Sequence, residues 1–309
     1  MSAMPPDTAV SNYPQRPIRF VVAFAVNGPG DLLARLIGQK LSERWGQPVN
    51  VENHPGTGGM KGGALGLKAP ADGYTFILYS APHSINPGMY KQMPYDALKD
   101  FQAVTLMISM PNILVCNARL PVNSVADLIK LAQQRPGQLK YASGGVGTPS
   151  HLGAECIKTM AGIDIKHVQF DGHATAGAAL QRGDVDVMLD AMLLALPEVK
   201  EGKIKALGVT SAQRLGVAGD IPSIAESGLP GFDFSPGVGV LVRAGTPMAI
   251  VNKIHQEIAD ILRTPEVRER LTRDGANIVA SSPQEFSAYI EAEVNKWAKV
   301  IAAAGIEKQ

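Results

Sequence analysis

Apolar runs of strand length alternate with amphipathic segments over residues 18–245. The run IRFVVAFA (18–25) predicts a buried strand, and the segment 32–46 after it places leucines, an isoleucine and a tryptophan on one helical face. Such alternation is typical of an α/β layer, which is the fold class we predict. Further strands are predicted at 48–53, 74–80, 111–117, 139–143, 165–170, 185–190, 204–211 and 237–245.

Helical periodicity alone continues after residue 245. Amphipathic segments with clear starts and stops at 247–264, 265–275 and 282–305 predict an all-helical tail. At the other end, residues 1–17 are polar and Pro-rich and indicate a loose arm. Within the α/β part, Ser124 stands where an N-cap belongs, directly before a predicted helix.

The length of 309 residues predicts two domains or one large α/β unit. A net charge of +1 without a basic stripe, and an aromatic content of 6%, give no support to a nucleic-acid partner. No apolar run reaches the roughly 18 residues of a membrane span. The first residues lack the charged and apolar regions of a signal peptide, so we expect either a cytoplasmic protein or a mature or trimmed form of an exported one.

The sequence carries none of the common enzyme or metal motifs. It lacks G-x-S-x-G and the phosphate-binding P-loop, and GTGGMKGG (56–63) misses the spacing of the dinucleotide fingerprint, so no cofactor is expected. Cys116 and Cys156 are expected to be buried free thiols. The histidines show no H-x-x-x-H or H-E-x-x-H spacing, and no metal site is expected from His54, His83, His151, His167, His173 and His255.

Three predicted strand-to-helix loops are candidates for a ligand cleft: 25–31, 144–151 and 170–175. Ligands bind at the carboxyl ends of parallel strands, and a helix N-terminus offers unpaired N–H groups with a partial positive charge. Glycines let a ligand approach the backbone, so such loops suit a carboxylate or phosphate. The alternative is an ordinary turn, in which Thr148 acts only as an N-cap and Pro149 as the first helical residue.

Several segments in a fixed order carry a resemblance to a known family. These are YPQRPIRFVVAFAVNGPGD, GQPVNVENHPGTGG, APADGYTFIL, YASGGVGTPSHLG, LQRGDVDVMLDA, KIKALGVTSAQR and DIPSIAESGLPGFD. Together they resemble the Bug-type solute-binding proteins of tripartite tricarboxylate transporters, along nearly the whole chain.

The resemblance implies a type II periplasmic-binding-protein fold, in which two α/β domains close on a ligand in a central cleft. One domain is expected to comprise residues 1–115 and 238–309, and the other residues 116–237. Crossover strands near Val115–Asn117 and Gly237–Gly239 are expected to form the hinge.

The family's ligands imply a small carboxylate: a di- or tricarboxylic acid, an acidic amino acid or an aromatic acid. Backbone and water contacts are expected from the first loop, and hydroxyl contacts from Thr148 and Ser150. Ligand contacts are expected at Val26, Asn27, Gly28, Pro29, Gly30, Asp31, Ser80, Ala81, His83, Gly147, Thr148, Pro149, Ser150, His151, Phe170, Asp171 and Asp190.

The chain departs from the family pattern inside the expected site. Val26 and Asn27 replace the usual Pro and Gly, and Gly30 replaces a Thr or Asn. Asp171 stands where the family often has a Lys or Arg, and it either points to solvent or meets a ligand's amino group or hydroxyl.

Two further residues keep two interpretations each. Asp190 is either a cap or ion-pair residue or an ammonium contact. His151 either binds the ligand or packs at the start of its helix.

We therefore expect a monomeric periplasmic binding protein that delivers a carboxylate to the permease subunits of a tripartite transporter, and not an enzyme. One alternative is a binding protein that feeds a sensor kinase. Another is a hydrolase that uses Ser143 or Ser150, although His151 is adjacent to Ser150 in sequence, and helical neighbours do not face each other.

Overall fold

The computed structural model describes residues 12–24, 26, 29–145, 148–170, 172–273 and 275–308. Its strands, in chain order, are β1 (Ile18–Val22), β2 (Val49–Asn53), β3 (Thr75–Tyr79), β4 (Phe101–Ser109), β5 (Asn112–Asn117), β6 (Lys140–Ser143), β7 (Lys166–Gln169), β8 (Val187–Ala191), β9 (Ile204–Val209), β10 (Gly237–Arg243) and β11 (Asn277–Ile278).

The α-helices cover the faces of the sheets. In chain order they are α1 (Pro29–Trp45), α2 (Met60–Leu67), α3 (Ala81–Met89), α4 (Val125–Gln134), α5 (Pro149–Ala161), α6 (His173–Arg182), α7 (Met192–Lys200), α8 (Met248–Arg263), α9 (Pro265–Arg273) and α10 (Pro283–Ala303).

The strands form two sheets, and both are mixed. The first has the order β11-β4-β10-β3-β1-β2, and the second has the order β7-β6-β8-β5-β9. Strands β1, β2 and β3 are parallel, as are β6, β7 and β8, whereas β10 and β5 run antiparallel to their neighbours. The predicted α/β class is confirmed, and the strands that precede the three candidate loops all have parallel neighbours.

The chain enters the second sheet once and leaves it once. Strand β4 of the first sheet ends at Ser109, and β5 of the second begins at Asn112. The return to the first sheet is complete at Gly237, where β10 begins. The boundaries expected for the two domains stay a prediction, but β5 as a whole pairs within the second sheet.

The helical-tail prediction is wrong in one place, because Asn277 and Ile278 form β11 and pair with the end of β4. Strand β1 also ends at Val22, earlier than its apolar run indicated. Besides β11, four elements had no counterpart in the sequence prediction, namely β4, α2, α3 and α7. The predicted cap is confirmed: the Ser124 hydroxyl accepts a hydrogen bond from the Asp127 N–H at 3.0 Å.

One hydrophobic cluster joins elements that flank the two sheets. Ile85 on α3, Leu152 on α5 and Trp297 on α10 are buried members of this cluster. Trp297 meets Phe234 edge-on at 5.5 Å, and its indole N–H donates to Glu293 at 2.9 Å. Helix α10 lies against β4 of the first sheet and also contacts α3 and α5, and α5 lies against the second sheet, so a continuous core connects the two halves.

Both cysteines are buried and unpaired, as predicted. Burial raises the pKa of the Cys116 thiol to about 11, and it also raises that of Cys156. Within the described ranges, no helix is long and apolar enough to cross a membrane.

Candidate functional site

The first edge of the site is formed where β1 and β3 end. These strands are parallel neighbours, so the segment after β1 and the start of α3 meet at one edge of the sheet. Val26 is 57% exposed there, which is unusual for a valine so close to a buried strand. Pro29 and Gly30 begin α1, whereas the predicted contacts Asn27 and Gly28 lie outside the described residues.

Asp31 is buried and already has protein partners. Its carboxylate accepts hydrogen bonds from Arg35 Nε at 3.0 Å and from Asn53 Nδ2 at 2.9 Å. The Asn53 amide also donates to the Phe24 carbonyl at 3.1 Å. These bonds tie the start of α1 to the end of β2 and to the first loop, which makes Asp31 a positioning residue in this conformation.

The glycine-rich stretch 56–63 packs directly against the first loop. A Cβ atom on Gly62 would lie 2.6 Å from the Cβ of Ala23, so only glycine permits this approach. The carbonyl of Gly58 accepts a hydrogen bond from the Asn86 amide at 2.9 Å. The stretch that misses the dinucleotide spacing therefore forms part of the same edge, and the sequence prediction did not include it.

The residues after β3 have different surroundings. Ser80 is the N-cap of α3, and its half-buried hydroxyl makes no hydrogen bond within the described structure, so it can donate to a ligand. Ala81, the next residue, is buried.

His83 instead packs among Tyr79, Tyr95 and Phe101. Its Nε2 lies 2.9 Å from the Ala97 carbonyl. Burial lowers its pKa to about 4, so the imidazole is neutral at pH 7 and has little surface left for a ligand.

The second edge contains the loop between β6 and α5. Thr148 caps α5: its hydroxyl accepts from the His151 N–H at 3.4 Å and donates to the Gly145 carbonyl at 2.6 Å. Ser150 is fully buried and accepts from the Gly144 N–H at 3.3 Å. Pro149 occupies the first turn of α5, where backbone N–H groups have no partner inside the helix. Gly147 lies outside the described residues.

The rings of Tyr141, His167 and His151 stack on one another beside this loop. The rings of His151 and His167 are 4.3 Å apart, and those of His167 and Tyr141 are 4.8 Å apart. Burial and the neighbouring His167 lower the pKa of His151 to about 4. The Tyr141 hydroxyl donates to Glu155, which is also paired with Lys158 at 2.7 Å. His151 is thus packed in the interior at the start of its helix.

Ser143, the last residue of β6, has a histidine in reach, because its Oγ lies 2.6 Å from His167 Nε2. Such a distance suits a nucleophile and its base. Ser143 is, however, fully buried, and its Oγ is also within hydrogen-bonding distance of the Gly145 backbone. The pair therefore shapes the loop, and a substrate has no access to it in this conformation.

Two further predicted contacts lie at the ends of β7 and β8. Phe170 is half-buried, and its N–H donates to the Ser143 carbonyl at 3.0 Å. Asp190 is buried, and its carboxylate accepts from the Ala191 N–H at 2.8 Å. Asp171 lies outside the described residues, so both interpretations of it stay predictions.

The two edges share the features that a carboxylate needs. Each has a helix N-terminus preceded by a hydroxyl residue, Ser80 before α3 and Thr148 before α5. Both helices contribute to the core that contains Trp297, so a single packed unit connects the two edges. In the part of the chain that is described, no group of three or more His, Cys, Asp or Glu residues is arranged to hold a metal ion.

Comparison with known proteins identifies a family of binding proteins. A family model described as the tripartite tricarboxylate transporter family receptor matches residues 33–306. The solved structure of Rpa4515 from R. palustris with adipate is 36% identical, covers 96% of this chain and 100% of its own, and has a TM-score of 0.81.

Two other solved structures are similar over the same length. MatC (Rpa3494) from Rhodopseudomonas palustris with bound malate is 31% identical, with a TM-score of 0.77 over 94% of this chain and 100% of its own. The periplasmic binding protein BugD is 30% identical, with a TM-score of 0.77 over 96% of this chain and 100% of its own.

These similarities confirm the two-domain binding-protein fold and the Bug-type resemblance. The matched family is one of solute receptors rather than an enzyme class. The chain belongs to the tripartite tricarboxylate transporter receptor family.

Proposed function

We propose that the protein is a periplasmic solute-binding protein that captures a small organic carboxylate between the two edges and delivers it to the membrane permease of a tripartite transporter. The observation that carries the proposal is the pair of helix N-termini, each with its own hydroxyl residue, on two sheets joined by one core. Adipate in Rpa4515 and malate in MatC support a dicarboxylate as the ligand.

The proposed contacts follow from which groups are free and which are occupied. Ser80 has an unused hydroxyl, and the first turns of α1 and α5 have N–H groups without intrahelical partners. Thr148 is half-buried at the second edge, and its hydroxyl is proposed to exchange the bond that it donates to the Gly145 carbonyl for one to the ligand. We retain Val26, Asn27, Gly28, Pro29, Gly30, Ala81, Gly147, Pro149 and Phe170 as proposed contacts of the cleft, and Asp171 as a residue that either points to solvent or meets a ligand's amino group or hydroxyl.

The predicted contacts that already have protein partners are proposed to act indirectly. Asp31 orients α1, Ser150 holds the Gly144 N–H, and His83 supports the start of α3. Asp190 and His151 are buried beside the second edge. A ligand that fails to satisfy the donors of the cleft leaves buried polar groups unpaired, at a cost of about 1–3 kcal/mol each, and this penalty provides the specificity.

Calorimetric titration with a panel of mono-, di- and tricarboxylates, including adipate and malate, tests the proposal. The protein is first unfolded and refolded to remove any ligand it carries. We expect saturable binding of at least one dicarboxylate and a loss of affinity of about tenfold in Thr148→Val, because one hydrogen bond to a charged group contributes about 1.5–3 kcal/mol.

The matched control is Thr264→Val. Thr264 is also a half-buried threonine directly before a proline that begins a helix, and its hydroxyl donates to the Ile261 carbonyl at 2.7 Å. Thr264→Val should leave the affinity unchanged. Absence of binding by every acid in the panel, or equal effects of the two substitutions, would contradict the proposal.

A further inference from the structure

A groove lies beside the segments that join the two sheets. It holds a cavity of about 400 Å³ and extends into a second of about 680 Å³. Residues 277–280 form part of it, and Asn277 pairs with Ser109 at the end of β4. We call it the arginine groove, and its two walls are Arg263, Arg268 and Thr272 on one side and Leu215, Gly216 and Val217 on the other.

The first wall presents cationic and hydroxyl donors. Arg263 lies 3.5 Å from Asp260, and both side chains are largely exposed, so this pair is weak. Arg268 is exposed on α9, and no carboxylate in the described part of the chain lies within ion-pair distance of its guanidinium. Glu269 is the acidic residue among the described side chains that line the outer part of the groove.

The opposite wall and the floor are apolar. Leu215 and Val217 are half-buried, and they pack against the core under the second sheet. Val279 and Ile278 line the inner end next to Gly275, where an added Cβ would lie 2.9 Å from the Cβ of Met192 at the start of α7. A guanidinium wall that faces aliphatic side chains matches an anion on an apolar stem, because the head pairs with arginine while the stem leaves water.

We propose that the arginine groove is a second binding site, for an organic anion with one carboxylate on a short aliphatic stem. Arg268 pairs with the carboxylate, with Arg263 and Thr272 beside it, and the stem lies on Leu215, Val217 and Val279. The walls belong to different halves of the molecule, because Leu215–Val217 follows β9 and Arg268 lies on α9. The groove volume is within the range of small-molecule sites.

Hexanoate and acetate are the probes for this site. Titration followed by calorimetry and by the chemical shifts of labelled backbone amides should show hexanoate bound at least tenfold more tightly than acetate, because burial of additional methylene groups stabilises the complex. The perturbed amides should lie at 215–217 and 263–280. Added salt should weaken binding, because the head group is held by charge.

Arg268→Glu should lower hexanoate affinity tenfold or more. The matched control is Arg270→Glu, a reversal of the same charge on the same exposed helix at a residue that does not line the groove. Arg268→Gln, with a smaller electrostatic change, should have an intermediate effect. Far-ultraviolet circular dichroism and the melting midpoint establish that each variant is folded.

Three results would overturn the proposal: equal loss of hexanoate binding in the Arg268→Glu and Arg270→Glu variants, perturbed amides confined to the two edges of the cleft, or equal affinities for acetate and hexanoate. The outcome is separable from that of the proposed function, since Thr148→Val should weaken the dicarboxylate without affecting hexanoate in the groove. Arg268→Glu should do the reverse.

Discussion

Replacement of Gly62 by alanine is expected to destabilise the protein and to displace the first loop of the site. The added Cβ would lie 2.6 Å from the Cβ and 2.9 Å from the Cα of Ala23. Ala23 is buried at the end of β1, so the obstacle is the backbone of the loop and not the flexible end of a side chain. Overpacking of this kind costs about 1–3 kcal/mol.

Replacement of Gly62 by alanine also raises the helix propensity of α2. The control substitution must therefore raise helix propensity by the same amount without overpacking. Gly177 lies inside α6 without a positive φ, and a Cβ there meets no atom within 4 Å. Gly177→Ala should therefore stabilise the protein by up to about 1 kcal/mol. The free energy of unfolding of Gly177→Ala should exceed that of Gly62→Ala by about 1–3 kcal/mol or more, since propensity acts in both and overpacking in one.

Urea unfolding followed by circular dichroism measures both variants under one set of conditions. The dicarboxylate affinity gives a second readout, because a displaced Ala23 shifts the loop that leads into α1. We expect Gly62→Ala to lose affinity and Gly177→Ala to retain it. Equal unfolding free energies for the two variants would refute the argument that α2 needs glycine to approach the first loop.

Three other predictions concern titration, the shared core and ligand charge. Burial lowers the His83 pKa to about 4, against about 6.5 in the unfolded chain, so stability is fully present above pH 6.5 and declines as the pH falls towards 4. His83→Gln should reduce the pH dependence of the free energy of unfolding, measured by urea titration in that window, by up to about 1.4 kcal/mol per pH unit. An unchanged slope would contradict this prediction. Trp297→Ala should lower the free energy of unfolding by about 3–5 kcal/mol, because it empties a fully buried site; a loss below 1 kcal/mol would show that the indole does not fill the core. Asp171→Asn should leave adipate affinity unchanged in calorimetry, whereas a loss confined to amino-acid ligands would assign Asp171 to an ammonium contact.

The sequence pattern predicts strands where apolar runs end at recognisable turns, and it fails where those limits are missing. The apolar runs of β3 and β5 are short and end at polar residues, Ser80 and Asn117. Strand β4 is buried on both faces except at Gln102, so it lacks the alternation that marks a half-exposed strand. Helices α3 and α7 each contain an internal proline, Pro87 and Pro197, which argues against a helix in sequence.

The sequence predicts which loops form the site, but it does not predict what each side chain in those loops does. Thr148 at the start of α5 follows from its type and from the proline after it. The role of His83 cannot be predicted from its residue type, because Tyr95, Ala97 and Phe101 surround it through tertiary packing alone. The Asp31–Asn53 bond likewise depends on the pairing of β1 with β2, which no local pattern encodes.

The core around Trp297 has a consequence for the order of folding. The second sheet is made from one continuous stretch, residues 112–209, yet the cluster beneath α5 also contains residues of α3 and α10. During synthesis, α3 emerges before that stretch and α10 after it. Phe234 and Leu152 therefore stay partly uncovered until α10 has left the ribosome, and this cluster cannot be completed before then.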